Sequence, residues 1–440
     1  GIDYRNPLFC NTDGTTRILG IWDQTATGSF SMESSRGASY EFLYGKEYRK
    51  EQIDEALAST DPLSLVPVTD DSGHGTFLAG IAAGRTEEDA DFTGAAPSCS
   101  LGIVKLHPAK QYLRDYYLIP EKADAFQEND IMMGIKYLRV LADRFRQPLV
   151  ILLGLGSNYG SHTGSSPLSQ VAQNYGGFFG IATVIAAGNE TGLSADTSYE
   201  DVELRVGKKE AERGFILELW SSATELYTVG FVSPGGERIN RIPILANNET
   251  RIPFLLENTT VTVNYELIEA GSGSQLVSMR FEKPSAGIWT IRVYNTQFLT
   301  GDYHMWLPVQ SFISDETVFL KPDPSNTSTV PGNSRLPITV GAYDHRNNSI
   351  YILSTRGYIS WDSVKPDLAA PGVDVLGPAN TSVHSGILKN TQTFTHRTGT
   401  SAAAAITAGA VANLLNWGIV MGNYPTMSEA SIKSYLIRGA

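Results

Sequence analysis

Apolar and polar residues follow two rhythms along this chain. In the first, short runs are apolar almost throughout: ILGIW before Asp23, LGIVKL at 101–106, PLVILL at 148–153 and GIATVIAA at 180–187. A strand covered on both faces has no polar side to show, so such runs predict parallel strands. Between the second and third runs, Ile131, Ile135, Leu138, Leu141 and Phe145 recur at helical spacing within 128–145. GHGTFLAGIAAG at 73–84 predicts a helix beginning at His74, and a small-residue stretch from Thr400 to about Trp417 predicts another. Strand–helix–strand alternation predicts an α/β domain of three layers, with a parallel sheet between helices.

The second rhythm has a period of two. It shows in Phe215, Leu217 and Leu219, in Tyr227, Val229 and Phe231, in Val261, Val263 and Tyr265, and in Trp289, Ile291 and Val293. Turn residues separate these runs, as in Pro234-Gly235-Gly236 and Gly271-Ser272-Gly273. This predicts an antiparallel β-sandwich with one face of each sheet buried. After Asn333 the first rhythm returns, so the sandwich is inserted within the α/β domain. The expected borders are 1–196 and 313–440 for the two parts of the α/β domain and 197–312 for the insert.

A length of 440 residues suits one large domain and a smaller one, and 42% hydrophobic with 18% charged residues suits a folded chain. A net charge of −12 argues against nucleic-acid partners and anionic membrane surfaces. No uninterrupted apolar run is long enough to span a bilayer, the longest lying around Phe178–Ala187. The start at Gly1 suggests that a precursor segment is removed. Cys10 and Cys99 permit one disulfide and read as free thiols, so this is not a disulfide scaffold. A monomer without cofactor is expected.

Three segments carry candidate chemistry: Asp23 in GIWDQT, His74 in DDSGHGTFLAG and Ser401 in RTGTSAAAA. A serine hydroxyl needs an adjacent imidazole to take its proton, and the imidazole needs a carboxylate to fix its tautomer. The order Asp, His, Ser belongs to one of the unrelated serine-hydrolase architectures, the subtilisin type. Glycines on both sides leave His74 uncrowded. Ser401 opens a helix, where free N–H groups favour developing negative charge, although a serine there also serves as a plain cap. Asp23 ends an apolar strand; the alternative is a turn residue, with Asp70 or Asp71 as the partner of His74. Asn189 in AAGNE either completes an oxyanion hole or is an ordinary turn residue after a strand.

On these motifs the chain resembles the subtilisin-like serine proteases. The resemblance implies catalytic roles for Asp23, His74, Ser401 and Asn189 and a protein or peptide substrate. It makes Gly154, Leu155 and Gly156 the segment that pairs with the substrate backbone. Ala187 and Gly188 would form the opposite pocket wall, with Glu190 near its rim. Gly154 stands where many subtilases have serine. YGKEYRKEQIDEAL at 44–57, FQENDIMMGIKYL and its surroundings at 126–138, and the position of the insert resemble the clostridial germination-protease (Csp) clade. In that clade the insert is a jelly roll and an N-terminal prodomain is cleaved autocatalytically, which implies a secreted or spore-associated enzyme whose own prodomain is a candidate partner.

Ala404-Ala405-Ile406 replaces the Ser-Pro-His that follows GTSMA in many subtilases, and RTEEDADFTG replaces their calcium loop. Glu87, Glu88, Asp89 and Asp91 are either calcium ligands or, as read here, a solvated acidic loop, so no metal site is assigned. A cis Val330–Pro331 bond is expected beside the specificity pocket. Two rival readings remain open. One is a pseudoprotease that signals or binds, marked in the clade by a substituted triad. The other makes Trp220, Trp289 and Trp306 a stacking platform for carbohydrate rather than core.

Overall fold

The computed structural model describes residues 1–188, 199–221, 225–245, 249–297, 301–360, 363–380 and 393–440. Strand Ile18–Asp23 pairs in parallel with Leu101–Lys105 and antiparallel with Lys46–Arg49. A second group runs Leu149–Leu153, Ile181–Ala186, Ile338–Asp344 in parallel, with Leu368–Pro371 alongside the last. Helices His74–Ala83 and Thr400–Leu415 pack together on one side, and the crossover helix Glu128–Arg144 on the other.

The parallel strands do not form one continuous sheet. Leu101–Lys105 and Leu149–Leu153 face each other across an apolar cavity of about 780 Å³, lined among others by Ile103, Leu138, Ile151 and Leu415. Leu138 and Leu141 of the crossover helix lie directly over Gly102, where a Cβ would meet their methyl carbons at 3.1 and 2.9 Å. The glycine lets the helix settle onto this strand.

The Ser401 helix is built from small residues, and Ala402 to Ala405, Ala408 and Val411 are buried. With its continuation it spans Thr400–Val420 and has the length and mean hydropathy, 1.5, of a bilayer-crossing helix, although it holds no uninterrupted apolar run of that length. Interruptions at Thr407, Asn413 and Asn416 hide it from a search for unbroken apolar runs. Half of it is buried inside the protein, where it serves as a core helix.

The insert folds into two five-stranded antiparallel sheets. One runs Arg238–Ile239, Leu226–Val232, Gly287–Gln297, Tyr199–Val206, Val318–Phe319; the other runs Thr250–Phe254, Thr259–Glu266, Gln275–Glu282, Gly214–Ser221, Tyr303–Trp306. Val318–Phe319 still pairs with Tyr199–Val206, so the sandwich extends past residue 312. Residues alternate between buried and half-buried along Gln275–Glu282, as a two-residue period requires. Phe281 and Phe254 meet Trp289 edge-on at 5.5 and 5.0 Å between ring centres. The stacking-platform reading fails, because Trp220, Trp289 and Trp306 are all buried.

Candidate active site

The sequence expectations converge around Gly154, just past the end of Leu149–Leu153. A Cβ built there would lie 3.6 Å from the Ser401 Cβ and 3.7 Å from the His74 Cε1. Serine and imidazole, 327 positions apart in sequence, thus face one point. The Ser401 hydroxyl donates to the Gly154 carbonyl at 3.1 Å. A Cβ at Gly154 would also stand 2.4 Å from Leu78 Cδ1 on the His74 helix, so a serine here requires Leu78 to shift.

Several groups fix the start of the His74 helix. Gly73 precedes it with φ +70°, a left-handed conformation that glycine adopts without strain. Asp70 accepts the Gly73 and Thr76 N–H groups at 3.1 and 2.8 Å and the Thr76 hydroxyl at 2.7 Å. Arg397 donates to the Ser72 carbonyl at 2.9 Å and lies over the Phe77 ring. Buried Arg17 donates to the Ala83 carbonyl at the far end, a cation where the helix dipole is negative. Burial, and then the positive charge of Arg397, push the His74 imidazole below its ordinary value, against the pull of Asp70 and Asp124. The neutral ring that results can accept a proton.

Asp23 is buried at the end of its strand, in register with Lys105. Its carboxylate accepts the Thr25 N–H and hydroxyl at 2.9 and 2.6 Å, and no hydrogen bond joins it to His74. Asp70, the alternative named above, is committed to Thr76 and Gly73 rather than to the imidazole. Asn189 and Glu190 lie outside the described residues.

The two expected pocket walls meet at Thr329, which the sequence reading missed. Its hydroxyl donates to the Ala187 carbonyl at 3.0 Å. A Cβ at Gly156 or at Gly188 would strike Thr329 at 2.5 or 2.4 Å, and Gly188 has φ +109°. Leu155 lies between the two glycines of its wall, partly buried against the apolar cluster that includes Ile151 and Leu168. Ser157 and Val330 exchange N–H···O bonds, both 2.8 Å, and the Val330–Pro331 bond is cis as expected. Thr400 Oγ1 accepts the Gly188 N–H at 3.2 Å and ties this wall to the Ser401 helix. The nearest signals for Thr329 and Thr400 are their neighbours, the Val-Pro-Gly turn and Ser401.

The acidic loop makes a short turn, Glu88–Ala90, closed by a pair of bonds between Glu87 and Phe92. Among the described residues no group of three or more His, Cys, Asp or Glu side chains is arranged to hold a metal. Cys10 and Cys99 are both free thiols.

The family model for the subtilases matches residues 42–212 and 315–440 and passes over most of the sandwich. No curated protein matches the chain. Among solved structures, the CspB protease of Clostridium perfringens is 30% identical, with alignment over 100% of this chain and 85% of that one, at a TM-score of 0.83. A protease from Pseudoalteromonas arctica is 15% identical over 96% of this chain and 77% of that one, with a TM-score of 0.38. The chain therefore belongs to the subtilase family of serine endopeptidases, with its similarity on the side of the Csp proteases.

Proposed function

We propose that the chain hydrolyses peptide bonds through an Asp23–His74–Ser401 triad and an acyl-enzyme. Ser401 Oγ attacks the substrate carbonyl carbon and its proton passes to His74. Asn189 and the Ser401 N–H receive the oxyanion. The tetrahedral intermediate collapses, the C–N bond breaks, and the leaving amine takes the proton from His74. Water then repeats the sequence on the ester and frees the acid and Ser401. An extended substrate adds a strand beside 154–156. The observation that supports this reading is the convergence of Ser401 and His74 on Gly154.

Ser401 must turn its hydroxyl from the Gly154 carbonyl to His74, and Asp23 must release Thr25 or share its second oxygen with the imidazole. Removal of an N-terminal prodomain, action outside the cell or at the spore, and a role in germination belong to the same proposal and rest on likeness to the Csp clade. A preference for a basic side chain before the scissile bond rests on Glu190 and is read from a peptide library; a profile without Lys or Arg enrichment removes it.

Asp23→Asn and Asp70→Asn, assayed on a chromogenic peptide, separate the two carboxylates. Asp23→Asn is expected to lower kcat by about 10⁴, as loss of the orienting carboxylate does in serine proteases. Asp70→Asn is expected to lower the melting temperature with kcat within about tenfold. The reverse pattern reassigns the partner to Asp70. Hydrolysis by neither variant nor wild type favours the pseudoprotease.

A further inference from the structure

The sandwich is fastened to two segments of the α/β domain. They follow Leu101–Lys105 and Leu149–Leu153, here called the two rims, and the outward face of one sandwich sheet reaches each. On one rim, Arg280 donates to the Tyr116 carbonyl at 3.0 Å and Arg213 to that of Ile119. On the other, Asn158 donates to the Leu307 carbonyl at 3.0 Å, and the His162 ring stacks on Trp306 at 3.6 Å. Between them stands Glu218. It lies on Gly214–Ser221, whose odd-numbered residues Phe215, Leu217 and Leu219 fill the sandwich core. Its carboxyl therefore points the other way, and Oε2 accepts the Gly160 N–H at 3.2 Å and the Trp220 indole N–H at 2.8 Å.

A carboxyl buried at a domain junction is costly unless it is hydrogen-bonded, and for Glu218 one of the two donors is the Gly160 N–H of the other domain. Gly160 is four residues beyond Gly156, and the intervening Ser157 is already fastened to Val330. Anchoring Gly160 thus fixes the far end of the segment 154–160. We propose that Glu218 of the sandwich is a positioning residue for the substrate-binding segment, holding it through Gly160 for an extended peptide. This rests on the reading of 154–156 as the substrate strand.

A consequence follows from the surroundings of Glu218. The titratable groups that interact with it are Tyr116 and Tyr117 from one segment and Tyr159 from the other, with Arg280 and Glu249 beside Tyr116 and Glu128 beside Tyr117; Trp306, on which His162 stacks, lies opposite Glu218, and His304 lies two residues before Trp306. Burial pushes the Glu218 carboxyl up to about 7, against the Trp220 and Gly160 donors, and pushes His162 down to about 4. Below the ordinary carboxylate value Glu218 is neutral whether the segment is docked or free. As pH rises towards 7 the undocked carboxyl ionises first, so docking weakens, and the loss is complete once the docked group has ionised.

Two readouts test this at pH 5.5 and 8.5, comparing wild type with Glu218→Gln, which keeps an acceptor but cannot ionise, and Glu218→Ala. In a Ser401→Ala background, amide exchange in 157–162 is expected to be closer between wild type and Glu218→Gln at pH 5.5 than at pH 8.5. At pH 8.5 wild type should exchange faster than Glu218→Gln at the same pH, and the ratio between them should exceed its value at pH 5.5 by up to about thirtyfold, the change that about 1.5 pH units of linkage carries. With active enzyme, KM for a long peptide should rise by a similar factor in wild type and stay flat in Glu218→Gln, with kcat alike at each pH. Glu218→Ala should show the raised value at both pH values. Identical pH profiles in wild type and Glu218→Gln overturn the proposal. Faster exchange without any peptide hydrolysis leaves the positioning role standing and sinks the protease reading instead.

Discussion

The α/β part and the sandwich are held together in different ways. The sandwich core is a continuous body of aromatic and branched side chains, from Phe215 and Phe231 to Phe281 and Trp289. Around Ser401 the large side chains give way to glycine, alanine and threonine, and backbones approach one another closely. Gly154 touches Leu78, Gly156 and Gly188 both abut Thr329, and Thr400 bridges to Gly188. Burying large apolar groups stabilises a fold with little demand on exact geometry, since cores repack. A catalytic site needs atoms held to fractions of an ångström. Small residues allow this because the backbone itself becomes the wall.

Removing chemistry without removing packing is the sharpest way to separate the two regions. His74→Ala should cut peptide hydrolysis by about 10⁶, the scale of losing a triad member in subtilisin, with the melting temperature nearly unchanged. In contrast, Trp289→Ala should cost about 4 kcal/mol by leaving a cavity in the sandwich, read as a loss in denaturant midpoint. If Trp289→Ala is silent while His74→Ala unfolds the protein, the comparison is reversed.

The close approach at Gly154 gives a finer test. Gly154→Ser should destabilise by about 1–2 kcal/mol through its clash with Leu78 and raise KM. Adding Leu78→Ala should return part of the KM defect even though the core loses further methyl groups. Additive damage instead would mean that Leu78 does not set the residue at 154.

The smallest effect concerns the field at His74. Arg397 is a cation that holds the imidazole below its ordinary value, so Arg397→Gln should let it rise. The base must be neutral to work, so the acid limb of kcat/KM should move to higher pH. A shift to lower pH contradicts this arrangement.

The same contrast explains what was legible in the sequence. The strands, the crossover helix and the inserted sandwich showed because periodicity reports which face is buried, and here burial is one-sided or complete. His74 and Ser401 showed because their flanking glycines and alanines are unusual. Thr329 did not, since a threonine wedged between two glycines looks like any other threonine until three distant segments meet. The cavity between Leu101–Lys105 and Leu149–Leu153 was also invisible, because an apolar run reads the same whether its edge is paired or open. Glu218 was hidden for a related reason: one polar residue on an outward-facing strand position is what an exposed sheet surface would show.

The central claim is that Ser401 is a nucleophile made reactive by His74. Labelling with a fluorophosphonate, followed by peptide mapping, tests it directly. The account predicts one adduct, on Ser401, abolished in Ser401→Ala and slowed by several orders of magnitude in His74→Ala. An adduct elsewhere, or equal labelling of Ser401 with and without His74, would contradict it.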